Sequence, residues 1–314
     1  MIGFVILSHN NPAQLRRLIR TLNAAYDDPP IACHHDFSQS TPLINDLGTN
    51  VRFVDSFVRT GWGRWSLVVG FLRALRLLYT HANPNWFVLL SAADYPIKAA
   101  DEVERALRVA NVDAFLDLQP VRGNFSNRHQ GDRDPNLGHH NNVALATRRY
   151  MHARVALPFA RLDESCDILT DIPDFASAPK RTFRIPLASP LSPFNKNYLC
   201  YVGSQWFTGN RRTANILLHP TVEDIKLRRF YSFRWLGDES FVHTILGNRN
   251  DIMIARNPHR YTRWNKIAAH PLPITTDDLP NLYRSTAHFA RKFAQDDPVL
   301  DRLDIHLGIA GHPQ

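Results

Sequence analysis

Residues 2–22 read IGFVILSHNNPAQLRRLIRTL, and this stretch decides the fold class. Ile2-Gly3-Phe4-Val5-Ile6-Leu7 is a short, nearly all-apolar run, the pattern of a strand buried on both faces of a parallel sheet. The polar turn Ser8-His9-Asn10 follows. Asn11 then stands at an N-cap position, with Pro12 at the first helical position, which is a helix start signal. Leu15, Leu18, Ile19 and Leu22 repeat beyond it at helical spacing. Strand, polar turn and helix in this order open a βαβ unit.

The same alternation continues outward. Val51–Val54 reads as a short strand, and Val68, Phe71, Leu72, Leu75 and Leu78 mark one face of a helix. Trp86–Leu90 is the next apolar strand and runs into Ser91-Ala92-Ala93-Asp94-Tyr95-Pro96. Val103, Ala106, Leu107 and Ala110 predict another helix, capped by Asp101, and Ala114–Leu116 a further strand. The expectation is one α/β domain, a parallel or mixed sheet covered by helices, with ligands beyond the carboxyl ends of its strands. Ser8–Asn10 and Ser91–Asp94 both lie there. Between 120 and 195 the character changes: eight of the 21 prolines fall in 120–193 and no periodicity holds, which predicts long loops. Order returns at Tyr198–Phe207, with helices around Arg212–Leu218 and over Asp238–Leu246.

Composition narrows the function. With 44% hydrophobic and 21% charged residues among 314, the chain is neither disordered nor fibrous. Three scattered cysteines, Cys33, Cys166 and Cys200, exclude a disulfide scaffold and a CxxC zinc module and point to a reducing compartment. No apolar run reaches membrane-spanning length, and residues 2–7 are too short for a signal-peptide core. The expectation is a cytoplasmic protein. A formal charge of +8 favours an anionic partner: a nucleotide, nucleic acid or an anionic membrane surface met peripherally.

Several constellations bear on chemistry. Strand Trp86–Leu90 delivers one carboxylate, Asp94, where a divalent cation usually needs more oxygens; its plainer reading is a cap or turn residue before Pro96. Asp132-Arg133-Asp134 has the letters of a metal pair but no strand before it. Arg291 and Lys292, inside Phe289-Ala290-Arg291-Lys292-Phe293, could neutralise a diphosphate, or lie on a solvated helix face with Phe289 and Phe293 packed inward. Asp238-Glu239 opens a helix; such acids either complement the helix dipole or supply a general base. Glu239 and His243 lie four apart without an evident third metal ligand. The pairs His34-His35 and His139-His140 lack metal spacing and read as packing or surface residues. Arg228–Trp235 mixes cations and aromatics, which suits base stacking or, more plainly, a packed segment.

These pieces occur in a recognisable order: ILSHNNPAQLRRLIRTL at 6–22, HHDFSQ at 34–39, GWGRWSLVVGFLRALRLL at 61–78, WFVLLSAADYPIK at 86–98, GSQWFTGNR at 203–211, GDESFVHTIL at 237–246, RYTRW at 260–264 and FARKF at 289–293. The chain resembles the core-2/I-branching β-1,6-N-acetylglucosaminyltransferase family, glycosyltransferase family fourteen, which includes peptide O-xylosyltransferases. The resemblance implies a GT-A-like fold and an inverting, metal-independent transfer from a UDP-sugar, with N-acetylglucosamine in β-1,6 linkage as the first expectation. Within the domain, 1–119 would be the nucleotide-sugar-binding half, 120–195 a variable segment, and 196–304 the catalytic and acceptor half. By motif match, Glu239 is the catalytic base and Lys292 contacts the donor diphosphate, with Arg291 beside it. Asp36 lies near the uridine, Asp94 where metal-dependent relatives carry paired aspartates, and His9 at the donor end of the first strand. Lys266 and His270 are candidates for a second diphosphate cation, and Trp264 and Trp206 for the acceptor side. No acceptor residue carries over into 120–195. Lacking an anchor and luminal disulfides, the chain reads as a bacterial, cytosolic-type member that needs no cofactor, binds no nucleic acid, and takes a UDP-sugar and a carbohydrate acceptor as partners.

The chemistry is consistent with one base: the leaving UDP needs charge neutralisation more than a proton, whereas a hydrolase would need a second carboxylate as acid. Two rivals stand beside this reading. One is a metal-dependent transferase using Asp132 and Asp134. The other is a non-catalytic glycan- or nucleic-acid-binding protein using the basic surface. UDP-xylose or another UDP-hexose is the alternative donor.

Overall fold

The computed structural model describes residues 1–43, 47–121, 150–151, 192–232, 234, 236–265 and 270–309, with the backbone alone of 154–155 and 183–184. The opening run forms strand β1 (Ile2–Ser8), and helix α1 (Pro12–Tyr26) follows with Pro12 in its first turn. Asn11 is at the N-cap position, yet its side chain makes no capping bond. It has φ 49°, the left-handed conformation that asparagine tolerates better than most residues, so its part is to turn the chain.

Next come β2 (Ile31–His35), β3 (Val51–Phe53), α2 (Trp65–His81), β4 (Trp86–Ser91), β5 (Asp94–Pro96), α3 (Ala100–Val109), β6 (Ala114–Phe115) and β7 (Gln119–Pro120). Two two-residue strands, β8 (Arg154–Val155) and β9 (Phe183–Arg184), pair with each other. The chain continues through β10 (Tyr201–Val202), β11 (Thr208–Asn210), α4 (Arg211–Leu218), α5 (Val222–Ser232), α6 (Phe241–Gly247), β12 (Ile254–Ala255), β13 (Arg260–Thr262), α7 (Leu279–Arg284), β14 (Phe289–Arg291) and α8 (Pro298–His306).

The main sheet has the order β12-β6-β11-β4-β1-β2-β3. β1 pairs in parallel with β2 and β4, while β11 runs antiparallel to β4 and β6. This is the expected α/β architecture, a mixed sheet flanked by helices. Its two faces explain the nearly unbroken apolar run of β1. Phe4 and Ile6 enter one core with Leu15, Leu18 and Ile19 of α1; Val5 and Leu7 enter the other with Val68, Phe71, Leu72 and Leu75 of α2. A strand covered on both sides has no face to leave polar. Burying each such side chain contributes about 1.5–3 kcal/mol.

A smaller sheet, β13-β14-β5, sits at the carboxyl edge of the main one and corrects the sequence reading. Phe289 and Phe293 have helical spacing, but Phe289–Arg291 is a strand. It pairs antiparallel with β5 and parallel with β13, and these two ladders satisfy its backbone on both sides, overriding local spacing. Asp94 is therefore a buried strand residue opposite Arg291, neither a cap nor a turn. Two boundaries also move. Helix α3 begins after Ala99, and Asp101 lies in its first turn, where it pairs with Arg105 at 3.0 Å. The helix expected over Asp238–Leu246 is a 3-10 turn, Gly237–Glu239, followed by α6.

Arg228 and Arg234 are buried, and the Arg234 guanidinium lies 3.6 Å from the Phe230 ring centre, so this basic-aromatic run is a packed segment. His34 and His35 are buried as well. Cys33 and Cys200 are free, buried thiols. Cys166, His139, His140, Asp132 and Asp134 lie outside the described residues. Among the described residues, no helix is long and apolar enough to cross a membrane, and no three His, Cys, Asp or Glu side chains are grouped to hold a metal ion.

Candidate active site

A cleft of about 1000 Å3 opens at the carboxyl ends of β1 and β4, and residues of β13, β14, the chain after them and the Gly237–Glu239 turn line it. His9, Arg291, Lys292, His270, Glu239, Trp206 and Trp264 all line it. Asp36 and Asp94 do not; each holds groups that do. Lys266 lies outside the described residues.

The donor side starts where β1 and β2 end. Ser8 is buried, its hydroxyl 2.8 Å from His35 Nδ1, and His35 Nε2 is 2.8 Å from the Ser40 carbonyl. His9 follows and is exposed to the cleft. Burial lowers its pKa below the ordinary histidine value; Asp36 opposes this, and His35 and Lys292 add to it. Lys292 is thus an electrostatic neighbour of His9. Asp36 is fully buried and clamps two loops. Its Oδ1 accepts from the Ser38 amide and hydroxyl at 3.1 and 2.6 Å; its Oδ2 accepts from Gln39 Nε2 at 2.6 Å and the Thr60 amide at 2.7 Å. Burial alone would raise its pKa, but these bonds outweigh it and bring it down to about 2. Gln39 and Thr60, the groups it fixes, line the cleft.

His34 shows how tightly this wall is packed. The Val58 amide donates to its Nε2 at 3.0 Å, so the proton sits on Nδ1, against Gly70. A Cβ at Gly70 would meet Nδ1 at 2.9 Å, so only glycine lets α2 approach.

The cation wall rests on the small sheet. Asp94 accepts from the Ser91 amide at 3.0 Å, the Ser91 hydroxyl at 2.7 Å and Arg291 Nε at 3.0 Å. Arg291 is held flat, its guanidinium 4.4 Å from the Trp206 ring centre. Lys292 is exposed to the cleft, but its backbone is pinned. Its carbonyl accepts from the Ile274 amide at 2.9 Å, the Phe293 amide donates to Ala93 O at 2.9 Å, and Gln14 Nε2 donates to Phe293 O at 2.9 Å. Arg260, in β13, is a cation that sequence reasoning missed. It is buried at the cleft and donates to the carbonyls of Pro258, Phe207 and Leu89, while its Nε has no partner among the described residues. Burial, opposed by Asp94 and reinforced by Arg291, lowers its pKa to about 10, so it remains charged at neutral pH. Its signal was the first letter of RYTRW, read for Trp264 alone.

The opposite side carries acids. Leu236, at φ 62°, starts the Gly237–Glu239 turn. Glu239 is half-buried, accepts a short hydrogen bond from the Tyr150 hydroxyl, and its carbonyl accepts from the Gly203 amide at 2.9 Å. Gly203 packs so closely that a Cβ would fall 2.0 Å from the Asp117 carbonyl oxygen. That approach is why the GSQWF segment begins with glycine. Asp117, also missed, is buried at the cleft and accepts from the Ser204 amide at 3.1 Å. Nothing in its local spacing marks it. Tyr150 lies in the 120–195 stretch, into which no acceptor residue carried over. Among the aromatics, Trp206 is buried, Trp264 donates to Thr262 Oγ1 at 3.1 Å, and Trp62 is exposed with its ring edge-on to His270 at 5.0 Å. His243, considered as a metal ligand, is buried with Nε2 3.0 Å from the Ser204 carbonyl.

Chemically, the cleft combines fixed positive charge with a half-buried carboxylate. Comparisons with known proteins bear on the family. Human xylosyltransferase 1 is 28% identical over 98% of this chain and 30% of its own length. The β-glucuronosyltransferase GlcAT14B of Arabidopsis thaliana is 24% identical over 79% of this chain and 50% of its own. The chain thus spans half or less of the length of these relatives. A solved structure of the galactosyltransferase LgtC, in complex with donor and acceptor sugar analogues, overlays with a TM-score of 0.38 at 12% identity, covering 98% of this chain and 95% of that one. The family model described as Core-2/I-Branching enzyme matches residues 30–282, most of the chain, and this protein therefore belongs to the Core-2/I-Branching enzyme family.

Proposed function

We propose that the chain is an inverting glycosyltransferase that moves a sugar from a UDP-sugar to a hydroxyl of a carbohydrate acceptor without a metal ion. One observation carries the reading: a single cleft is lined by Glu239 and by Arg291, Lys292 and Arg260. In the reaction, Glu239 takes the proton of the acceptor hydroxyl as that oxygen attacks the anomeric carbon. The bond from that carbon to the UDP oxygen breaks, and its electron pair leaves on the diphosphate. The cation wall neutralises the charge so released, with Lys292 as the mobile contact and Arg260 and Arg291 as fixed potential beneath it. Arg260 joins His270, which also lines the cleft, as a candidate for the second cation. The Tyr150 hydroxyl orients Glu239. Trp206 and Trp264 offer apolar faces to the acceptor.

N-acetylglucosamine in β-1,6 linkage is the transfer we propose first; relatives named xylosyltransferase and β-glucuronosyltransferase make UDP-xylose and UDP-glucuronic acid the other donors to try. The test is a thermal-shift panel of UDP and these three UDP-sugars, followed by UDP release from whichever binds. A donor at a hundred times its dissociation constant should add about 2.7 kcal/mol of apparent stability. Binding of none of them would defeat the proposal.

A further inference from the structure

Among the described residues, one buried carboxyl at the cleft is left incomplete. Asp36, Asp94 and Asp117 each accept hydrogen bonds from named groups. Asp238 is 7% exposed, lines the cleft beside Glu239, and its Oδ1 has no hydrogen-bond partner among the described residues. Buried polar atoms are seldom left unpaired, because the lost hydration is not returned. It is no helix cap either: neither the 3-10 turn nor α6 shows a side-chain cap bond. An apolar residue would fill the same space without that cost.

We infer that Asp238 is a substrate-binding residue, whose Oδ1 hydrogen-bonds a hydroxyl of the sugar held in the cleft beside Glu239. The inference rests on the transferase reading above. Burial first, and then the Glu239 charge, raise the Asp238 carboxyl above the ordinary range, with the backbone amides of 238 and 239 offsetting part. A protonated carboxyl both donates and accepts, which is what a hydroxyl needs. That hydroxyl belongs to the transferred sugar or to the acceptor.

The test compares wild type with Asp238→Leu and Asp238→Asn. Calorimetry gives the affinity for UDP and for the UDP-sugar that the wild type turns over fastest, among UDP-N-acetylglucosamine, UDP-xylose and UDP-glucuronic acid. Kinetics give kcat/KM, and a melting scan checks the fold. Asp238→Leu should keep UDP affinity and lower kcat/KM roughly ten- to hundredfold. Asp238→Asn, which keeps a donor and an acceptor, should recover most of that loss. A drop in UDP-sugar affinity relative to UDP assigns the hydroxyl to the transferred sugar; a rise in acceptor KM alone assigns it to the acceptor. Either supports the inference. Should Asp238→Leu not fold, Asp238→Ala carries the same comparison. Unchanged kcat/KM in the Leu or Ala variant overturns it, as does a parallel loss of UDP affinity and melting temperature, or an Asn variant as impaired as Leu. A wild type that binds UDP but consumes no UDP-sugar defeats the transferase reading, and this inference with it.

Discussion

The two sides of the cleft are built on different terms. The cation side is anchored in sheet: Arg260 and Arg291 stand on adjacent strands, and Asp36 and Asp94 spend their lone pairs on neighbouring loops and on Arg291. The acid side rests on one 3-10 turn, where Glu239 has a tyrosine from a distant part of the chain and Asp238 keeps an oxygen unpaired. Binding a diphosphate rewards charge that is fixed in advance, since no reorganisation is then needed when the ligand arrives. Moving a proton and seating a hydroxyl require capacity held open. Among the cleft carboxyls, full hydrogen bonding thus goes with the scaffold aspartates, and Asp238 is the one that keeps an oxygen unpaired among the described residues.

That contrast can be broken from either side. The largest effect is expected at Glu239. Glu239→Gln should leave the melting temperature and UDP affinity in place and cut turnover by about 10²–10⁴-fold; turnover above half of wild type would remove Glu239 from the mechanism. Next is Lys292→Ala, which should weaken UDP roughly ten- to hundredfold while leaving free uridine unchanged, as calorimetry on both ligands would show. Equal weakening of both would mean that Lys292 does not meet the phosphates. The smallest effect should be a stability change at Asp36. A carboxyl with a depressed pKa stabilises the fold above its unfolded value, and that contribution fades as pH falls through the folded one. With a folded value of about 2, Asp36→Asn should cost about 1–2 kcal/mol at pH 7, and the gap to wild type should close between about pH 4 and pH 2. A gap independent of pH would show that the loops do not depend on the charge.

The same contrast explains what could be read from the chain in advance. The doubly covered strands β1 and β4 write themselves as apolar runs, and α1 and α2 as periodic faces, because local pattern and burial agree there. Motif order singles out Glu239, Lys292, Trp206 and Trp264, and all four line the cleft. The strand at 289–291 was not legible, since two phenylalanines four apart carry a helical pattern and only the ladders to β5 and β13 decide otherwise. Arg260 stayed hidden because its buried partners include the Leu89 carbonyl in β4 and the Phe207 carbonyl just before β11, both far away in sequence. Asp238 looked like an ordinary first-turn acid, and only its burial and its unpaired oxygen distinguish it.

The central claim is that side-chain cations held by the small sheet do the work on the diphosphate. Its most direct test is the rate of UDP release from the preferred UDP-sugar, with acceptor, in excess chelator and then with manganese restored. Full activity in chelator, with no gain on adding manganese, is the predicted result. Activity lost to chelator and recovered with manganese would contradict it, and would turn attention to a carboxylate pair such as Asp132 and Asp134.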